Sequence, residues 1–173
     1  MADPLRLQIM KALTTKLETV THDRFGDETE TYPMTGKVFR GRSLYGDDDL
    51  LPMLSILEAP LPQETRIEQD DATGRAGDWE LVIQGFCLDD KDNPTDPALR
   101  FAAEVEQVLA LEKKKLRGSD PTDRYILGFK RIKTWTVGRA VCRPPDEFIS
   151  GQAYFAINLS IDVAEDLDDP YAT

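Results

Sequence analysis

The stretch Ala153-Tyr154-Phe155-Ala156-Ile157-Asn158-Leu159-Ser160-Ile161-Asp162-Val163 decides the fold. Ala153, Phe155, Ile157, Leu159, Ile161 and Val163 alternate with Tyr154, Asn158, Ser160 and Asp162. That period of two places one side-chain set on each face of a strand. One face is therefore buried and the other wetter, as in an antiparallel sheet covered on one side. Trp79, Leu81, Ile83, Gly85 and Cys87 alternate in the same way with Glu80, Val82, Gln84 and Phe86, which predicts a second strand. Val38-Phe39 and Leu54 to Leu57 predict short strands. Ile126 to Cys142 reads as strand interrupted at Gly128 and Gly138.

Two segments carry helical spacing instead. Asp3 is placed to cap a helix with Pro4 at its first position, and Leu5, Ile9, Leu13, Leu17 and Val20 then recur on one face over about four turns. Asp96 and Pro97 repeat that start, and Phe101, Ala102, Val105, Val108 and Leu109 form the stripe of a helix running to about Leu116. Lys113 to Lys115 suit the negative end of its dipole, and Gly118 is a stop. Thr21 to Gly36 has no period and reads as a loop. Pro60 to Gly77, with two prolines, two glycines and many charges, reads as a long exposed loop or arm. This order predicts one α+β domain over residues 1–173, with two main helices packed on one face of a largely antiparallel β-sheet.

The chain of 173 residues is 40% hydrophobic and 31% charged, which excludes disorder throughout. No apolar run approaches the roughly 18 residues of a membrane span, and Met1 to Pro4 lacks the features of a secretory signal, so the protein is expected to remain in the cytoplasm where it is made. Cys87 and Cys142 lie far apart in strand-like stretches and read as buried reduced thiols. The net charge of −11 repels nucleic-acid phosphates, which argues against sequence-specific DNA binding. The charge is unevenly spread. Residues 113–143 carry ten basic side chains against only Asp120 and Asp123, whereas residues 144–173 carry seven acids and no base. Such polarity suits a head-to-tail contact between identical subunits, or equally two solvated surfaces.

Catalytic patterns are weak. His22, the one histidine, has no cysteine, serine or carboxylate at motif spacing, which disfavours a triad or zinc site. Asp89, Asp90, Asp92 and Asp96 fail the calcium-loop pattern, because Pro94 and Phe101 fall on ligand positions; entry to a helix accounts for the acids better. Asp47 to Asp49 read as a solvated turn. No phosphate loop, GxSxG elbow or HExxH helix occurs, and Trp79 and Trp135 read as core.

The segment Trp79 to Phe86, the turn Asp92-Asn93-Pro94-Thr95-Asp96-Pro97 and the helix containing Glu104-Val105 and Val108-Leu109 resemble the central strand, turn and helix of tail terminator-like proteins of long-tailed bacteriophages. Pro145-Asp146, the strand Ala153 to Val163 and Glu165 to Tyr171 are similar to the end of that family's pattern, so the resemblance spans most of the chain. The 60–77 arm departs from compact members. The resemblance implies a small α+β structural protein of the virion, assembled in the host cytoplasm. Its copies, typically six, close a ring on the head-proximal end of the tail tube, ending tube polymerisation and providing the joint to the head connector or neck. It implies no catalytic centre, cofactor or metal and no membrane, and DNA passes through the lumen without specific binding. Two placements follow as expectations. Asp47, Asp48, Asp49, Glu64, Asp70 and Asp71 face the lumen and repel phosphates. Lys130, Arg131, Lys133 and Arg139 form a basic subunit interface. A neck or head–tail completion protein, which also forms rings, is the alternative in the same class. A small metal-dependent hydrolase using the aspartates and a monomeric binding module are the readings from other classes.

Overall fold

The two alternating stretches pair with each other over their full length. In the computed structural model, which describes residues 3–43, 48–59, 67–69 (backbone only), 73–118, 123–146 and 150–171, the elements run α1 (Leu5–Leu17), β1 (Thr21–Asp23), β2 (Thr31–Pro33), β3 (Val38–Arg40), β4 (Met53–Glu58), β5 (Ile67–Gln69), β6 (Gly74–Cys87), α2 (Asp96–Lys114), β7 (Ile132–Val137), β8 (Val141–Arg143) and β9 (Ala153–Asp166), with single 3₁₀ turns at Lys115–Arg117 and Ile126–Gly128. Strands β6 and β9, of 14 residues each, are antiparallel from Gly74 opposite Asp166 to Cys87 opposite Ala153. Next to β6 comes β4, antiparallel, and beyond it β3, parallel; β5 extends the same side of β6. On the far side of β9, β7 and β8 lie one after the other. The α+β fold with a mostly antiparallel sheet is as expected.

Both helices cover one face. Trp79, Leu81 and Ile83 oppose Ile161, Leu159 and Ile157, all buried on that face. Helix α2 lays Phe101, Ala102, Val105 and Leu109 across them, and α1 contributes Leu5, Ile9, Leu13 and Leu17. Gly85 is required by packing. The Phe155 ring lies over it so closely that a Cβ there would stand 2.1 Å from a ring carbon, and Phe101 meets that ring edge-on at 5.3 Å.

Several local expectations are corrected. Asp3 makes no side-chain cap; the first helical amide, that of Leu5, donates instead to the Pro170 carbonyl at 2.8 Å, tying α1 to the far end of the chain. Helix α1 stops at Leu17, short of Val20. Asp96 is the first residue of α2 rather than its cap, and the Asp90 carboxylate accepts the amides of Asp92 and Asn93, so it shapes the turn before the helix. The segment read as a loop from Thr21 contains the β1–β2 hairpin. Its polar residues close the turn, where Asp23 accepts the amides of Gly26 and Glu28. In the 60–77 segment, residues 67–69 pair with 75–77, and Gly74 to Gly77 open β6. Period two is lost there because residues 74–77 are half-exposed and neither face is fully buried. The rest of that segment, 60–66 and 70–72, lies outside the described residues.

Gly85→Ala is expected to cost about 2–3 kcal/mol by overpacking against Phe155. Urea unfolding measures this, and the loss is expected to shrink when Phe155→Leu makes room, a coupling that separate sites would not show.

Candidate assembly surfaces

Three carboxylates to which the sequence assigns no role, Glu112, Glu104 and Glu165, organise the polar groups between elements. Glu112, 1% exposed on α2, receives the Lys16 ammonium of α1 at 2.9 Å, Lys115 at 3.2 Å and the Leu127 amide at 2.9 Å. Leu127 sits at φ 51°, a strained conformation for leucine, and its bond to Glu112 helps to hold it there. Burial pushes the Glu112 carboxyl up, but Lys16, the Leu127 amide and Lys115 outweigh it and hold the group below its ordinary value. Glu104 joins α2 to the hairpin, with one oxygen 3.0 Å from His22 Nδ1 and the other accepting the Asp23 amide. His22 is 1% exposed and stacked on Phe101 at 4.6 Å. The pair has the form of a base and its orienter, with the imidazole sealed from solvent. It fastens the hairpin to α2. Glu165, third, accepts a two-pronged contact from Arg6 at 2.8 and 3.0 Å and a contact from Arg75 Nε at 3.0 Å. Burial raises this carboxyl, and the two arginines lower it further than burial raises it. Arg6 also lies 5.2 Å over the Trp79 ring. A cleft of about 270 Å³ lies beside this group, lined by Pro4, Arg6, Glu165 and Pro170 among others.

Sequence spacing hid all three because each partnership spans elements distant in the chain. The one available signal for Glu112 and Glu104 was an acid on the helix beside the apolar stripe.

The expected site residues are not brought together as one patch. Lys130 is exposed, 5.9 Å from the Tyr125 ring. Arg131 is half-buried, and its carbonyl accepts the Ala164 amide. Lys133 is exposed at a bulge, where β7 advances two residues while β9 advances one. Arg139 is exposed past the other end of β7, so it stands up to roughly 20 Å from Lys133. Of the expected lumen acids, Asp47, Glu64, Asp70 and Asp71 lie outside the described residues. Asp48 is exposed. Asp49 is half-buried and paired with Arg42, whose carbonyl accepts the Ser55 hydroxyl. Among the described residues, no three His, Cys, Asp or Glu side chains are grouped to hold a metal ion. Cys87 and Cys142 are unbridged, and burial pushes Cys87 up to about 12.

The sheet face opposite the helices is partly open. Beyond Met53, Ser55 and Phe86, which are buried, it presents Leu57, Val82, Gln84, Ala156, Ser160 and Thr136 as a half-exposed to exposed band without charge. Glu80 and Asp162 border the band at one end and Arg143 at the other. Leu99 and Leu111 on α2, Val141 on β8, and Leu167 and Tyr171 after β9 are large apolar side chains left exposed. A scan against protein-family models and a search of curated proteins each return no match to this chain.

Glu112→Gln is expected to cost about 2–4 kcal/mol near neutral pH, because Lys16 then loses its buried counter-charge. Since folding lowers this carboxyl below its ordinary 4.5, its contribution is present above that pH and lost as pH falls through the lower folded value. Unfolding curves of the wild type and the variant, measured from pH 7 downwards, are therefore expected to converge in acid.

Proposed function

We propose that the protein is a structural subunit of a long-tailed phage, a tail terminator-like protein that acts by closing into a ring at the head-proximal end of the tail tube. The observation that carries the reading is the uncharged band on the open sheet face. The solvated face of an antiparallel sheet is ordinarily polar, whereas the middle of this one carries the half-exposed aliphatic groups Leu57, Val82 and Ala156 among amides and hydroxyls and no charge. Such a surface suits contact with protein. Two further features support the reading. The strand, turn and helix that carry the family resemblance form the centre of the fold, as β6 and α2. The charge is polarised along the chain, with the basic residues of 113–143 followed by the acidic ones of 144–173, a polarity that suits a heterologous contact between identical copies.

A ring of this kind works mechanically. Docking on the last tube ring removes the surface on which the next tube subunit would add, and the outward side of the new ring meets the connector or neck. The acidic excess of the chain keeps phosphates off the lumen wall over a Debye length of roughly 8 Å.

Purified protein imaged by negative stain, with its mass from light scattering, is expected to show closed rings with a central hole, alone or on the ends of added tail tubes. Tubes polymerised in its presence are expected to stop growing at the capped end. Unaltered tube growth and no association with tube ends would overturn the proposal.

A further inference from the structure

We infer that adjacent copies join through the acidic segment after β9 of one subunit, which docks on the outward face of α2 of the next. This rests on the assembly reading above and names the surfaces that would build it.

The outward face of α2 is unusual for a solvated helix. Leu99, Ala103, Gln107, Ala110, Leu111 and Lys114 recur at helical spacing and are all exposed, with Leu99 at 54% and Leu111 at 55%. The small side chains at 103 and 110 leave Leu99 and Leu111 standing out from the helix beside them, roughly 18 Å apart along its axis. Lys113, Lys114 and Arg117, all exposed, make its carboxyl-terminal end basic.

The segment after β9 has the complementary character. Leu167 and Tyr171 are 45% and 46% exposed, with the exposed Asp168 and Asp169 between them. The segment is held in shape by the Leu167 amide on the Thr73 carbonyl at 2.9 Å and the Pro170 carbonyl on the Leu5 amide at 2.8 Å. An apolar anchor of the tail, with Asp168 and Asp169 beside it, thus meets Leu111 with Lys113 and Lys114 beside it, and little ordering is needed on either side.

One chain cannot satisfy both halves of this contact. The acidic segment is tied to Leu5 at the start of α1, whereas Lys16 near its end is bound to Glu112 beside Lys113. Eleven residues of helix separate the two points, roughly 16 Å. The acidic segment therefore reaches a second copy, and the contact is head-to-tail, the kind that propagates until a ring closes.

The test uses two charge reversals in the full chain, Lys113→Glu with Lys114→Glu and Asp168→Lys with Asp169→Lys, each checked for native unfolding by urea. Light scattering is read on each variant alone and on an equimolar mixture, with and without tail tubes. Each reversal alone is expected to lower assembly at least tenfold in midpoint concentration, and the mixture to restore it, because every reversed helix then meets a reversed tail. If both reversals assemble as the wild type does, this contact is wrong while the ring reading stands. A wild type that stops at a dimer overturns the head-to-tail geometry. A wild type that stays monomeric even with tubes overturns the assembly reading itself.

Discussion

The antiparallel pairing of β6 with β9 is the constraint on which the rest of the structure depends. Fourteen residues of each strand share one register, and a slip of a single residue would turn every buried side chain of one strand to the open face. The insertion of Phe155 over Gly85 marks that register: only where a residue without a Cβ faces the ring does the sheet close, and α2 then seats Phe101 against the ring edge. The strands β4, β7 and β8 add to a ribbon already fixed. Leu54, Ile56, Ile132 and Trp135 extend the same buried face outward from it.

The helices are placed on that face by apolar contact and locked by charge. Glu112, Glu104 and Glu165 each join elements far apart in sequence: α1 with α2 and the 3₁₀ turn, α2 with the hairpin, and the end of β9 with α1 and β6. A charge removed from water is costly unless its partners are held in place. Glu112 and Glu165 meet their cations at fixed distances, so each rejects arrangements in which the helix has shifted. The helices are thereby held in one arrangement on the sheet, and the surfaces they present outward keep a fixed relation to one another.

What was legible in the sequence follows from burial. β6 from Trp79 and β9 to Val163 each bury one face completely, so period two survives there and both strands are legible, while the half-exposed to exposed first five residues of β6 are not. α2 was legible for the same reason. The hairpin β1–β2 was not, because its three-residue strands carry mixed exposure and its register comes from Asp23 and Glu104 rather than from alternation. The start of α1 was misread because Asp3 and Pro4 look like a cap, while the satisfying acceptor comes from Pro170. Closeness in sequence does not make Lys133 and Arg139 one surface, because β7 lies between them and Lys133 sits exposed at the bulge. Charge composition is read directly from a chain; its grouping in space depends on strand geometry.

The division of one side of β9 between β7 and β8 has a further consequence. Gly138, whose amide donates to the Asn158 carbonyl, interrupts the run between the two strands, and the Lys133 bulge disturbs the outer ladder of β7. On the opposite side the sheet ends in β3 and β5, of three residues each. Among the described residues, neither margin offers a long, flat row of unpaired amides and carbonyls on which a foreign strand could zip. These margins are thereby guarded against edge-to-edge pairing of strands, and a contact made there rests on side chains, where charge and shape choose the neighbour.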